Sequence, residues 1–182
     1  MKTSFKAGTI ALASALALAA CGSGTADTDG DGTVSADEIQ AELESNGGRI
    51  RPEPGKYQAT MSFVKADIPG APQEMIDMMS SAMNRTFDYC LTQEDADKGF
   101  EEALTEGQDE NCTVQKFELN SGDVDMAMTC DTGEGNQMAM TMTGKVTSTS
   151  SDITVVTNGT VPQMGEANIE MSMKQERIGE CD

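Results

Sequence analysis

Histidine is absent from this chain of 182 residues, tryptophan is absent, and two tyrosines and five phenylalanines make up all the aromatic residues. Without histidine there can be no Ser-His-Asp or Cys-His nucleophile, no histidine-ligated zinc, and no ordinary switch near neutral pH. Basic residues are also scarce: 12 Lys and Arg stand against 31 Asp and Glu, a formal charge of −19. Nucleic-acid binding depends on basic side chains at phosphates, so that class is excluded as a partner. The same charge disfavours adhesion to anionic headgroups. With few aromatics, a core has to be built from Met, Val, Ile and Leu. Carboxylate-only or Ser-Lys chemistry has no motif at suitable spacing, and the expectation is that the protein is not an enzyme.

Two of the few lysines, Lys2 and Lys6, precede the apolar run AGTIALASALALAA (Ala7 to Ala20), and Cys21 follows directly. The run is too short to cross a bilayer comfortably and matches a secretory signal. Leu18-Ala19-Ala20-Cys21 resembles the lipobox of bacterial lipoproteins. The resemblance implies cleavage before Cys21, a diacylglyceryl group on its sulfur and a further N-acyl chain. Multiple chains would give stable anchoring. Gly22 in place of an aspartate implies sorting to the outer membrane, so the expected location is the cell envelope, on the periplasmic side.

Beyond the spacer GSGTA lies DTDGDGTVSADE, Asp27 to Glu38, which completes the pattern D-x-D-x-D-G-x5-E. Asp27, Asp29 and Asp31 hold positions 1, 3 and 5. Gly32 stands at position 6, where the turn needs positive φ. Thr33 would offer its carbonyl, Ser35 would act directly or through water, and Glu38 would give both carboxylate oxygens. Hard oxygen donors in this number specify calcium, with magnesium disfavoured by its smaller octahedral geometry. The stretch resembles an EF-hand loop followed by its exit helix in IQAELESN. The entering helix is missing, since Cys21 lies only six positions before Asp27, and no second loop is present to pair with Val34 at position 8. One weakly held calcium is expected, in the ~10⁻⁴ to 10⁻³ M range of extracellular modules. The alternative is an acidic spacer that keeps the lipid end solvated.

NGGRIRPEPG (Asn46 to Gly55) ends the helix, because Gly-Gly and two prolines cannot continue it. It reads as a linker. The expected organisation is a signal over 1–20, a lipidated tether with the loop over 21–45, the linker over 46–55, and a β-rich domain over 56–182.

In that domain KYQATMSFVKA alternates with period two, a strand signature. After the turn IPGAP, QEMIDMMSSAM places Met75, Met78, Met79 and Met83 at helical spacing. RTFDYCL reads as a strand, and TQEDADKGFEEAL as a helix opened by Thr92 with Asp95 three positions on. CTVQKFEL, VDMAMTC, QMAMTMTGKV, DITVVTN and ANIEMSMKQERIGEC follow, separated by NSGD, DTGEGN, TSTSS and GTVPQMGE. The pattern predicts an α+β fold, an antiparallel meander of about six strands with two short helical inserts.

Besides Cys21 there are Cys90, Cys112, Cys130 and Cys181, an even count that reads as two disulfides in an exported protein. No CxxC spacing is present, which disfavours thiol exchange and zinc ribbons. Three connectivities are open, and the preferred one joins Cys90 to Cys112 and Cys130 to Cys181. Met126 and Met128, then Met138, Met140 and Met142, then Met171 and Met173 recur at alternate positions. Alternate strand residues share one face, so these are expected to be core. The other readings are a thioether site for Cu(I) and an adaptable face for an apolar ligand.

PGKYQATMSF, YCLTQEDA, NCTV, MTC and RIGEC together resemble a family of small exported bacterial proteins and lipoproteins known as a domain of unknown function. The resemblance runs from Pro54 to Cys181, rests on the four cysteines and their flanks, and implies no catalytic residue. The expected function is that of a calcium-binding, lipid-anchored envelope protein in which calcium orders the membrane-proximal tether. The alternative is a binding or chaperone module holding an apolar ligand or Cu(I) on a Met-lined face.

Overall fold

The computed structural model describes residues 26–47, 50–97, 111–133, 136–161 and 165–181. The signal, Cys21, residues 22–25 of the GSGTA spacer and the second helical insert beyond residue 97 lie outside the described residues.

One antiparallel sheet dominates. Its strands are β1 (Gly55–Asp67), β2 (Arg85–Leu91), β3 (Cys112–Asn120), β4 (Asp123–Gly133), β5 (Asn136–Val146), β6 (Ser150–Val161) and β7 (Gly165–Gly179). Among the described residues the sheet is accompanied by α1 (Ala36–Gly47) before it and α2 (Gln73–Met83) between β1 and β2. Residues 93–97 are also helical, after Thr92, whose hydroxyl accepts from the Asp95 N–H at 3.1 Å. Every stretch that alternates in sequence forms a strand, so among the described residues the sheet has seven strands and not about six. Their order is β2-β1-β7-β6-β5-β4-β3. β3 to β7 form the expected meander, but β1 then pairs with β7 and places β2 at the far edge. The two N-terminal strands therefore join the same sheet through its last strand.

Hairpin chemistry sets the β3–β4 register. Ser121 and Gly122 both have positive φ, 53° and 93°, the twist a two-residue hairpin loop needs to follow its strands. Pairing runs outward from Asn120 with Asp123, and a bulge between Val114 and Lys116 shifts it by one. Cys112 then lies opposite Cys130, and the two form a disulfide with Cα atoms 3.9 Å apart. The second disulfide joins Cys90 to Cys181, Cα to Cα 5.6 Å. This corrects the expected Cys90–Cys112 and Cys130–Cys181 pairing. Lys56 of β1 is flanked by Cys90 on one side and Gly179 on the other. The second bridge therefore spans the beginning of β1 and ties the edge strand to the C-terminal end.

The two faces of the sheet differ as alternation requires. On one, Phe117, Met126, Met142, Val155, Met171 and Phe63 lie in one register row across six strands. On the other, Asp123, Lys145, Asp152 and Lys174 alternate in sign across β4 to β7. Lys145 meets Asp123 and Lys174 meets Asp152, each at 2.9 Å. Exposed pairs of this kind add little stability. They do oppose a one-residue slip, which would carry every charge to the apolar side.

The best-buried part of the core lies at the β3–β4 end. Phe117 and Leu119 are each 1% exposed, and Val114, Val124, Met126, Met128 and Val146 are buried with them. Ala26, Val34 and Ile39 belong to the same cluster, with Leu43 and Ile50 packed against it. Residues 26–47 thus cover one end of the sheet. The segment read as a linker is also held to the body. The Glu53 N–H donates to the Ser148 carbonyl at 2.7 Å, and the Arg177 Nε donates to the Pro54 carbonyl at 2.9 Å.

Candidate metal centre

Short acidic side chains fold back on their own backbone when glycines let the chain reverse. Between Asp27 and Glu38 this happens three times. Asp27 accepts from the N–H groups of Gly30, at 2.7 Å, and Gly32, at 3.1 Å. Asp29 accepts from the Asp31 N–H at 3.1 Å, and Asp31 from the Thr33 N–H at 2.8 Å and its hydroxyl at 2.7 Å. Gly30 and Gly32 have φ of 76° and 87°, a region that side chains other than glycine enter only at a cost.

The loop passes directly into α1. Ser35 caps the helix by accepting from the Glu38 N–H at 3.3 Å, and Glu38 returns the interaction by accepting from the Ser35 N–H at 2.9 Å. This is a reciprocal capping box, and sequence reasoning passed over it, although the S-x-x-E spacing is present in SADE. The other oxygen of Glu38 accepts from the N–H and hydroxyl of Thr28, both at 2.7 Å. Thr28 was not foreseen either, because its position in the loop pattern is unconstrained.

These contacts bring oxygens of Asp27, Asp29 and Glu38 within 4.8 Å of one another. Among the described residues no lysine or arginine forms an ion pair with any of the three. Asp31 is not in that group; its carboxylate accepts from Thr33. Ser35 is engaged with Glu38 through its hydroxyl at 2.9 Å. Of the four carboxylates read as ligands, the structure brings three together. Three hard carboxylate oxygen donors in one place suit calcium.

Hydrogen bonds hold the Glu38 carboxyl far below the ordinary range, to about 2; the Ser35 N–H is the largest cause, then the Thr28 N–H, then the two hydroxyls. A depressed carboxyl contributes stability that is fully present above its ordinary value of 4.5 and is lost as pH falls through about 2. Glu38 is therefore available as an anion throughout the physiological range.

The loop is seated on the sheet. The Val34 N–H donates to the Val114 carbonyl of β3 at 2.7 Å, and the Ala26 N–H to the Phe117 carbonyl at 3.1 Å. Both Val34 and Ala26 are buried, at 4% and 2% exposure.

The methionine stripes divide by location. Met126 and Met128 of β4 are buried in the core cluster. Met138, Met140 and Met142 of β5, with Met171 and Met173 of β7, are half-buried. No charged side chain is buried among the described residues.

A family model described as a protein of unknown function matches residues 52–181, a span that excludes the acidic loop. No curated protein matches the chain, and no solved structure does. The match takes in all seven strands and all four disulfide cysteines, and the chain belongs to the DUF3617 family of proteins of unknown function.

Proposed function

We propose that the chain is a calcium-binding envelope protein, anchored through a lipid on Cys21, in which calcium orders the segment between the membrane and the sheet. The observation that carries this reading is the convergence of Asp27, Asp29 and Glu38 within 4.8 Å on a loop turned by two positive-φ glycines. Asp27, Asp29 and Glu38 would hold the ion, Asp31 would join on releasing Thr33, and the Thr33 carbonyl and Ser35 would complete the oxygen set. Bound calcium would relieve the repulsion among these carboxylates. Residues 22–182, which include every described residue, are expected to bind one calcium with a dissociation constant of ~10⁻⁴ to 10⁻³ M in calorimetric titration. An Asp27→Ala, Glu38→Ala variant should give no binding heat. If the parent chain gives none either at calcium well above about 10⁻³ M, the loop is an acidic spacer.

A second reading has its own observation. Met140, Met142, Ile153, Met171 and Met173 lie on one sheet face and are only half-buried, whereas the β3–β4 end of that face is closed by residues 26–47. Adaptable thioethers on a partly open face suit varied apolar ligands. Cu(I) is less well supported, because Met126 and Met128 are already committed to the core. A fluorescent long-chain fatty acid should bind saturably, and Met171→Asp should weaken it about tenfold or more by placing a charge on the face. Absence of saturable binding removes this reading.

A further inference from the structure

A calcium loop with no second loop lacks the strand against which its eighth position ordinarily rests. Here that place is taken by the sheet. The Val34 N–H, at position 8, reaches the Val114 carbonyl at 2.7 Å, and the Ala26 N–H, just before position 1, reaches the Phe117 carbonyl at 3.1 Å. Both acceptors belong to β3, the strand at one edge of the sheet. The side chains follow the backbone. Ala26, Val34 and Ile39 are buried in one cluster with Val114, Phe117 and Leu119 of β3.

We infer that β3 serves in cis as the partner strand of the loop, so that calcium occupancy and closure of the β3 edge are one equilibrium. The inference rests on the calcium reading above; the seating of the loop on β3 does not. Ala26 and Ile39 bracket the loop at its two ends, and Val34 pins its middle. The ends and centre that must be fixed for Asp27, Asp29 and Glu38 to stay within 4.8 Å are thus fixed by contact with the sheet. Linkage makes the effect reciprocal: whatever the sheet contributes to calcium affinity, calcium returns to the closed edge. An edge strand whose carbonyls are released is a template for pairing with another chain, and closure by the loop removes that template.

Residue 34 offers no side-chain oxygen, so Val34→Ala trims the seat and leaves every ligand and the N–H donor in place. Calcium affinity should fall about fivefold or more, the lower end of ordinary coupling between sites. Hydrogen exchange at the Val34 amide supplies a second reading on the unaltered chain. At free calcium ten times the dissociation constant, exchange through opening of the loop should slow about tenfold relative to chelator. Asp29→Asn should abolish that slowing and leave protection in chelator unchanged. Calorimetric binding with no change in Val34 protection would overturn the inference and leave the calcium reading standing. Absence of any binding heat would overturn both, with protection of Val34 identical in calcium and chelator.

Discussion

Replacing Cys90 and Cys181 by serine is expected to cost about 4–5 kcal/mol, the larger of the two disulfide effects. The bridge closes a separation of 91 residues, against 18 for Cys112–Cys130. Constraint of the unfolded chain grows with the logarithm of that separation, which gives about 3 kcal/mol for the shorter bridge. Local structure points the same way. β2 has no buried residue and its backbone pairs with β1 alone. Beyond that, the Tyr89 hydroxyl donates to Gln175 of β7 at 2.9 Å, and the bridge ties β2 covalently to the C-terminal end. Cys90 is exposed and Cys181 half-buried, so serine at these positions leaves no deeply buried hydroxyl and the loss reports the cross-link itself. Urea unfolding of the two double variants measures the difference. The thermal midpoint should fall by about 10–15 °C for Cys90→Ser, Cys181→Ser. Equal losses for the two bridges would mean that strain or residual structure, and not loop closure, governs both.

That bridge also marks where the sequence ceases to be legible. Alternation of apolar residues locates every strand, and NSGD announces the β3–β4 hairpin. An unbroken two-residue turn at Ser121–Gly122 would set Cys112 against Asp131; the bulge between Val114 and Lys116 moves it onto Cys130. The turn alone therefore brings Cys112 within one residue of its partner, and weighing it against the expected Cys90–Cys112 pairing would have favoured the observed one. The Cys90–Cys181 bridge has no such local signal. It follows from the pairing of the first strand with the last, a contact between distant segments that neither period nor turn chemistry encodes.

The candidate site divides in the same manner. Its carboxylates and glycines are legible because side-chain chemistry at fixed spacing makes the loop. The seat on β3 is made by main-chain N–H and carbonyl groups, which every residue but proline carries, so no residue type betrays it. Read as sequence, the loop belongs to a tether beyond the domain. In the structure, residues 26–47 are packed on the sheet, although the family match begins only at residue 52.

Phe117 is where these two parts meet, and Phe117→Ala is expected to cost about 3–5 kcal/mol. The ring is 1% exposed, at the start of the apolar row that crosses Met126, Met142 and Val155. Its neighbours cannot collapse freely into the space, since Val114 and Leu119 are held by β3 pairing and Ala26 by its bond to the Phe117 carbonyl. Among the described residues no other ring lies in this cluster to take over the volume. Phe87, 48% exposed on β2, is the matched control, and Phe87→Ala should change stability by no more than about 0.5 kcal/mol. Urea midpoints of the two variants decide the matter. A loss below about 1 kcal/mol for Phe117→Ala would place the stabilising core elsewhere on the sheet. A loss of the expected size, with faster exchange at the Ala26 and Val34 amides than at the β6–β7 amides, would show that the β3 core and the loop above it open together. The sheet's central strands would then persist after the end that carries the acidic loop has let go.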